Sequence, residues 1–300
     1  MSNGSRPILF VELKERLFKK LLLVSGLLAI GLLLGIFFTL LMESMLSIRE
    51  TGVSFLYQSI WDPVRETFGA WPFLLGTMIT SVLALIISVP FSFALSLFLG
   101  EYLKEGAFRS VFNGMLDLLA GIPSIIYGFW GLFVLVPMVR DFENSIGVLA
   151  HGVGIFSSSI VLALMIIPYS ASISREVISL VPQDLKEAAL SLGATPWEVI
   201  QKVILPYAKS GMFAGVLMSF GRAISETMAV TMLIGNSNKI PTSLFSPANT
   251  LASVIANEFA EASEALYLSS LVELALILFF VTAIFSLLGR YIIKKWMPVQ

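Results

Sequence analysis

The 300-residue chain contains no cysteine and a single histidine, His151. Without cysteine there is no disulfide and no thiolate nucleophile, and one histidine rules out a multi-histidine metal site. Charge is also scarce, since 13% of the residues are charged against roughly 25% in average soluble chains. No Gly-Lys dipeptide occurs, so a phosphate-cradling Walker loop is absent. These absences exclude an ordinary soluble domain and an ATPase that carries its own nucleotide loop.

The sequence is instead rich in hydrophobic residues, which make up 57% of the chain and give a mean hydropathy of +0.89. A helix that crosses a bilayer needs about 20 mostly apolar residues. Six stretches meet this requirement, so the sequence predicts an all-α polytopic membrane protein with six transmembrane helices. The stretches are 21–42, part of 67–100, 118–139, part of 144–174, 210–235 and 266–289.

Lysine and arginine are distributed unequally between the connections. Fourteen of the 19 lie in the N-terminal segment, the second and fourth connections or the tail, whereas four lie in the other connections. The positive-inside rule then places both termini in the cytoplasm. The predicted organisation is a cytoplasmic segment (1–20), a first transmembrane helix (21–42), an ordered periplasmic loop (43–70), a five-helix core (71–293) with a cytoplasmic loop at 175–209, and a cytoplasmic tail (294–300).

The cytoplasmic loop predicts two short helices. Pro182 and Asp184 suit the first turn of the first helix, and Gly193 suits the position just after its end. Thr195-Pro196-Trp197-Glu198 is a capping box that opens a second helix, which we expect to end at Pro206.

One face of this loop suggests a docking element. Leu185, Ala188, Ala189 and Leu192 form an apolar stripe at helical spacing. The two alanines leave a shallow face beside the carboxylate of Glu187, which a groove on another protein could approach. An amphipathic hairpin that lies on the membrane surface is the alternative.

Two charges stand inside the fifth apolar stretch. Arg222 follows Ser210 by 12 residues, which places it about 18 Å into the membrane. A charge at that depth costs at least about 2.5–3.5 kcal/mol unless it is paired or hydrated. Glu226, four residues further on, would share its helix face and be its partner. The residues leave two functions open: a structural ion pair, or a site where Arg222 attracts an anion and Glu226 limits how tightly it binds.

The loop also carries a known motif. Glu187-Ala188-Ala189, Gly193 and the stretch Val203-Ile204-Leu205-Pro206 keep the spacing of the EAA motif of ABC importer permeases, with Val203 in place of isoleucine. Residues 121–128, 221–230 and 249–259 are similar to PstC permeases of phosphate-specific transport systems, although Ser225 stands where glycine is expected. The resemblance covers roughly residues 70–290 and implies the type I ABC importer permease (MetI-like) architecture.

The resemblance also implies roles and partners. The cytoplasmic loop would be the coupling element that fits a cleft on the ATPase, and Arg222 and Glu226 would serve phosphate passage. The implied partners are a PstA-like second permease, a PstB-like ATPase dimer that binds ATP and Mg, and a PstS-like phosphate-binding protein. This chain is expected to hold no cofactor, metal or catalytic residue and to bind no nucleic acid. The residues expected to couple to the ATPase are Glu187, Ala188, Ala189, Gly193, Leu205 and Pro206.

Other functions remain open from the sequence. One arginine does not fix the identity of the anion, so a permease for sulfate or molybdate is possible. An ion-coupled secondary anion transporter could use Glu226, Glu273 and His151, although Glu273, about eight residues inside the last helix, is more typical of a structural acid. An intramembrane enzyme lacks both a nucleophile–base pair and a metal cluster. The sequence also leaves open whether the second permease is a sister chain or a second copy.

Overall fold

The computed structural model describes residues 8–103 and 106–296, and the side chains of 14–103 and 106–295. The predicted segments at 1–20 and 294–300 therefore lie partly outside the described residues. The helices are α1 (Ile8–Glu43), α2 (Met45–Thr51), α3 (Ser54–Tyr57), α4 (Trp71–Leu97), α5 (Ala107–Gly121), α6 (Ser124–Trp130), α7 (Val136–Ser145), α8 (Ile155–Ser179), α9 (Gln183–Ser191), α10 (Pro196–Val199), α11 (Leu205–Ser225), α12 (Met228–Leu233), α13 (Leu251–Glu258) and α14 (Ala265–Trp296). Three π-helical turns lie at Phe98–Tyr102, Gly131–Leu135 and Ile200–Ile204.

Six helical segments of the described chain are long and apolar enough to cross a membrane, which confirms the predicted number. They are Lys14–Glu43, Trp71–Tyr102, Ser124–Ser145, Ile155–Ser179, Pro196–Ser225 and Ala265–Lys295. The third begins at Ser124 rather than at 118, because Pro123 separates α5 from α6. The residue before proline is held extended, as Ile122 is with ψ at 128°.

The contact between α4 and α8 forms the centre of the bundle and is lined by small side chains. On α4 the small residues recur every three or four positions, which places them on one helix face. They are Thr77, Thr80, Ser81, Ala84, Ser88, Ser92 and Ser96, all buried. Such residues let membrane helices approach closely, and their hydroxyls bond across the contact. The Ser159 hydroxyl donates to the Thr80 carbonyl at 3.2 Å, and that of Ser92 to the Ile167 carbonyl at 3.3 Å.

The prediction that Pro206 ends a helix is wrong. Helical backbone continues from Pro196 to Ser225, and Pro206 lies in the first turn of α11. The π-helical turn Ile200–Ile204 comes directly before it. In a π turn the backbone carbonyls are shifted relative to a regular α-helix, so a different carbonyl faces the proline ring. The ring and the missing N–H of Pro206 are then accommodated while the helix continues. Pro90 and Pro168 also lie inside continuous helices, α4 and α8.

Helix α1 stands against the edge of the bundle. No residue of its most apolar window is buried. It meets α14 through Phe37, whose ring centre lies 5.7 Å from that of Phe279 and 5.9 Å from that of Phe280. Its apolar surface is therefore available to lipid or to another subunit.

The segment between the first two spans is ordered, as the sequence predicts. Helices α2 and α3 lead into a tight turn in which Asp62 and Thr67 exchange backbone hydrogen bonds of 2.8 and 3.1 Å. The Phe68 ring stacks on Tyr267 of α14 at 5.5 Å between centres. Phe55, Trp61 and Phe68 are all buried, so this segment forms a cap packed on α4, α13 and α14.

The carboxylate of Glu258 at the end of α13 joins this cap to two other parts of the chain. Its Oε2 accepts hydrogen bonds of 2.7 Å from the Trp61 indole and from the Tyr267 hydroxyl. Its Oε1 accepts one of 2.9 Å from the Asn238 amide, which in turn accepts from Asn249 at 2.7 Å. The cap is therefore held by one acid that bonds to the first loop, the last loop and the last helix.

Replacing Glu258 with alanine should destabilise the protein, because three donors lose their acceptor at once. A donor left unsatisfied costs about 1–3 kcal/mol. The thermal midpoint of detergent-purified protein should fall for Glu258→Ala. Glu261→Ala removes an exposed acid from the same region and should leave the midpoint unchanged. Equal midpoints for the two variants would show that the carboxylate does not hold the cap.

Candidate functional site

The face of α11 that packs on α8 carries small residues one helical turn apart. Gly211, Gly215 and Ser219 recur every fourth position, the spacing that brings membrane helices into close contact. A Cβ on Gly211 would lie 2.5 Å from Val177, and one on Gly215 would lie 3.1 Å from Ile173. The two helices run antiparallel, and this contact fixes which residue of α8 faces each turn of α11.

Arg222 lies on the next turn of α11 and faces Tyr169 of α8. The guanidinium carbon is 5.8 Å from the centre of the Tyr169 ring, within the range of a cation–π contact. Its Nε is buried and has no hydrogen-bond partner among the described residues. The residue as a whole is half-buried, and a charge at such a position is stabilised when water or another hydrogen-bond acceptor reaches it.

The level of Arg222 in the bundle follows from Tyr169. Helix α8 has 25 residues. At about 1.5 Å per residue, Tyr169 lies about 21 Å from the N-terminal end of α8 and about 15 Å from its C-terminal end. Arg222 is therefore in the middle of the span rather than at either surface.

Two hydroxyls on the neighbouring turns of these helices are also unsatisfied. Ser170 follows Tyr169 on α8 and Ser219 precedes Arg222 by three residues on α11, and both hydroxyls are buried without a hydrogen-bond partner in the described part of the chain. Buried hydroxyls of this kind can bond to water. The Tyr127 side chain of α6 lies close enough to Arg222 to interact with its charge.

The helix that carries Arg222 is interrupted just beyond it. Helix α11 ends at Ser225 and α12 begins at Met228, so the continuous helix expected over 210–235 does not form. Glu226 has extended backbone, with φ at −69° and ψ at 126°. Its carboxylate accepts a hydrogen bond of 3.3 Å from the Ala229 N–H, one of the free donors at the start of α12. Broken helices in membranes occur where backbone lines a cavity or is buried in protein.

The prediction that Glu226 is the partner of Arg222 is wrong. Within residues 14–103 and 106–295, the two side chains form no ion pair. The pairing assumed helical spacing over four residues, which the extended backbone at Glu226 removes. Ser225, at the end of α11, bonds to the Gly221 carbonyl at 3.0 Å. Arg222 therefore keeps a charge that Glu226 does not neutralise by direct contact.

A cavity of about 410 Å³ opens beside Tyr127, between α4, α5, α6 and α8. Its walls are almost entirely apolar, with Leu95, Leu116, Ile126, Trp130 and Pro168 among them. An oxyanion needs charged or hydrogen-bonding groups, so this cavity does not suit one.

Glu273 lies apart from Arg222, on the side of α14 that faces α2. Its exposed fraction is 7%, and it lies beside Ser47 of α2. Ser47 also bonds to Ser270 at 3.1 Å and to Ser269 at 3.0 Å. Glu273 thus lies buried at the contact of α14 with α2, and its role as a structural acid stays a prediction.

The first helix of the cytoplasmic loop ends as the sequence predicts. Gly193 follows α9 with φ at +87°, a conformation that glycine adopts without steric cost. The Gly193 N–H bonds to the Leu190 carbonyl at 2.9 Å, and the Ala194 N–H to the Ala189 carbonyl at 3.1 Å. This pair of bonds is a Schellman motif, which turns the chain sharply towards α10.

The second helix of the loop begins with the predicted capping box. The Thr195 hydroxyl accepts from the Glu198 N–H at 3.3 Å, and the Glu198 carboxylate accepts from the Thr195 N–H at 2.9 Å. Leu205 is half-buried in the cluster formed by this loop and Ile178, and Pro206 is exposed. The loop is therefore a folded hairpin joined directly to α11.

The outer face of the hairpin is apolar and exposed. Glu187 and Ala188 are exposed and Ala189 is half-buried. Leu185 is 46% exposed, and Leu192 at the turn is 90% exposed. Three of the four residues of the predicted apolar stripe, Leu185, Ala188 and Leu192, therefore face away from this chain, whereas Ala189 packs against it.

Two residues that make contacts in these regions, Tyr169 and Lys186, are not identified as such from the sequence. Tyr169 carries no charge, and only the packing of α8 on α11 places it over Arg222. Lys186 was counted among the cytoplasmic cations, but its side chain is turned inward and pairs with Glu101. The available signal is helical spacing, because Lys186 lies three positions before Ala189 and so shares the side of α9 that packs against this chain.

Comparison with known proteins places the chain in a family. Residues 92–297 match the family described as binding-protein-dependent transport system inner membrane component. The chain is 44% identical to the phosphate transport system permease protein PstC of Haemophilus influenzae, over 94% of this chain and 93% of that protein. Identity to PstC of Mesorhizobium japonicum is 41%, over 94% and 91%. Identity to the probable PstC of Methanocaldococcus jannaschii is 32%, over 88% of each.

Solved structures show the same fold. A bacterial alginate ABC transporter, in complex with its alginate-bound periplasmic protein, has a chain that matches with a TM-score of 0.64 at 16% identity, over 95% of this chain and 98% of that one. The inward-facing MetNI methionine ABC transporter matches with a TM-score of 0.55 at 18% identity, over 77% and 94%. These matches confirm the predicted MetI-like permease architecture. The chain therefore belongs to the binding-protein-dependent permease family of ABC importers and, within it, to the PstC phosphate transport system permease proteins.

Proposed function

We propose that this chain is the permease subunit of an ATP-driven importer that takes inorganic phosphate from an external binding protein and passes it across the cytoplasmic membrane. The observation that carries the proposal is the guanidinium of Arg222, which lies at mid-span with a buried Nε that has no hydrogen-bond partner among the described residues. The relatives of the PstC family are named for phosphate transport, and this supports phosphate as the anion.

Arg222 suits the passage of phosphate. Its planar donors match two phosphate oxygens at once, and its charge attracts anions into the membrane interior. A transport site must also release its substrate. The contact with Tyr169 can stabilise the guanidinium when phosphate is absent, because the face of the tyrosine ring attracts a cation. This attraction does not use the N–H donors of the guanidinium, which stay available to phosphate.

Glu226 contributes to release through its charge. Its hydrogen bond to the Ala229 N–H holds the carboxylate at the break between α11 and α12. A negative charge fixed beside the path opposes tight binding of an anion. In this proposal Arg222 admits phosphate and Glu226 prevents it from remaining.

The cytoplasmic hairpin is the ATPase-coupling element in this proposal. Glu187, Ala188, Ala189, Gly193, Leu205 and Pro206 form or position its docking surface. The exposed apolar stripe and the small side chains of the alanines suit a cleft on the ATPase. ATP and Mg are then bound and hydrolysed on that separate subunit.

The remaining partners follow from the same proposal. A PstA-like sister permease completes the pore as a heterodimer, a PstB-like dimer supplies ATP hydrolysis, and a PstS-like protein delivers phosphate to the outer cap. Both termini are cytoplasmic, because 14 of the 19 lysines and arginines lie on the side of the coupling loop. The cap of residues 43–70 is then periplasmic.

Arg222→Gln should reduce phosphate uptake by at least about tenfold, since a hydrogen bond to a charged group is worth about 1.5–3 kcal/mol. Uptake of radiolabelled phosphate would be measured in cells that lack other phosphate importers, with complex assembly checked by co-purification. Arg16→Gln is the control, because Arg16 is exposed on α1, outside both the cap and the coupling hairpin. Normal uptake by an assembled Arg222→Gln complex would overturn the anion site.

Glu226→Gln should also slow uptake, because it removes the charge and keeps an oxygen that can accept from Ala229. The substitution separates the electrostatic role from the helix-capping role. The same uptake assay, read over a range of phosphate concentrations, should show a reduced maximal rate. An unchanged rate would leave Glu226 as a structural cap only.

Gly193→Ala should weaken the contact between the coupling hairpin and the ATPase. Alanine at φ +87° costs about 1 kcal/mol or more and disturbs the turn that positions α9. Phosphate-stimulated ATP hydrolysis by the purified complex should fall, and Glu187→Gln should lower it as well. Gly147→Ala is the matched control, because Gly147 has φ +74° with open space around it. Full uptake in Gly193→Ala would favour an ion-coupled secondary transporter, which does not need this loop.

A further inference from the structure

One ion pair in the described chain joins two separate elements. Lys186 Nζ of α9 meets Glu101 Oε2 in the π-helical turn Phe98–Tyr102 that follows α4. The side chains of Lys186 and Glu101 are only 10% and 24% exposed. The other described pairs join residues three or four positions apart and are more exposed: Lys19–Glu15, Arg65–Asp62 and Lys202–Glu198.

Lys186 is the inward-facing residue of an otherwise exposed helix. Its exposed fraction is 8%, whereas its neighbours Leu185 and Glu187 are exposed. The inner face of α9 thus meets the rest of the chain through the Lys186 charge and the half-buried Ala189, while its outer face carries Ala188 and the Glu187 carboxylate. Lys186 is one of the points at which a force on the outer face reaches the bundle.

Glu101 is fixed to the bundle at the other end of this contact. The turn that carries it includes Leu99, which is 1% exposed. A Cβ on Gly100 would lie 2.8 Å from Ile178, so this turn packs tightly on the end of α8. Glu101 is therefore attached to both α4 and α8, the two helices at the centre of the fold.

The hairpin also packs on the bundle through apolar side chains. Ala189 and Ala194 lie in one cluster with Ile200, at the start of the run into α11, with Ile178 of α8 and with Leu97 of α4. These apolar contacts reach all three helices. The ion pair adds a directional contact between α9 itself and the turn that follows α4.

We propose that Lys186 and Glu101 are a positioning pair that transmits movement of the coupling hairpin to α4 and α8. This inference rests on the proposed function, since it takes α9 to be the docking element for the ATPase. Opposite charges at close range hold two elements together without fixing their relative angle as packed apolar side chains do. The pair acts through the bundle and touches neither phosphate nor nucleotide.

The test is the number of phosphates imported per ATP hydrolysed. The complete complex would be reconstituted in proteoliposomes with its binding protein, and both quantities measured in the same vesicles. Lys186→Met and Glu101→Gln should each lower the ratio by about fivefold or more, the range of typical coupling between sites. Lys202→Met is the matched control, because it breaks the exposed pair of the same hairpin and should leave the ratio unchanged.

A double variant separates positioning from folding. Lys186→Glu combined with Glu101→Lys restores opposite charges in reversed order, and it should recover at least half of the lost ratio. A single variant that assembles and keeps the normal ratio would overturn the inference. So would a double variant that restores assembly of the complex but leaves the ratio low. Failure of the wild-type complex to import phosphate with ATP would instead refute the proposed function.

Discussion

Helices α8 and α11 come so close together that a Cβ on Gly211 would clash with Val177 and one on Gly215 would press on Ile173. This contact fixes the register of the two helices, and the register decides what each later residue of α11 meets. One turn on, Ser219 is buried, and the next turn brings Arg222 over Tyr169. The placement of a charge at mid-span is thus a consequence of backbone packing between small residues, which in a membrane replaces the hydrophobic effect as the source of helix association.

The break after Ser225 determines that the charge of Arg222 has no ion-pair partner in Glu226. A continuous helix would have placed Glu226 beside Arg222 and allowed the two to neutralise each other. Because the helix stops, the carboxylate bonds to a backbone donor of α12 instead and does not neutralise Arg222 by direct contact. In the proposed function, this separation leaves the guanidinium able to bind a substrate that must also be released.

Much of this arrangement was predictable from sequence, and the failures have physical causes. Three features depend only on local composition and residue spacing and can therefore be predicted from the sequence. They are the number of spans, the Schellman turn at Gly193 and the capping box at Thr195. Pro206 was misjudged because a π-helical turn, which no residue type demands, accommodates it. The pairing of Glu226 failed because helix continuity was assumed through a polar stretch. Tyr169 and the Lys186–Glu101 pair depend on contacts between residues far apart in the chain.

The helical run Pro196–Ser225 connects the cytoplasmic hairpin to the region around Arg222. It begins at the cytoplasmic hairpin and ends one residue before Glu226, so the docking surface and Arg222 lie at opposite ends of a single element of 30 residues. The π-helical turn Ile200–Ile204 with Pro206 beside it supplies a position at which the run can bend, since irregular turns lack part of the regular hydrogen bonding. In the proposed function, movement of the hairpin tilts the part of α11 that carries Arg222, and the close contact of Gly211 and Gly215 with α8 limits how far that part slides along its axis.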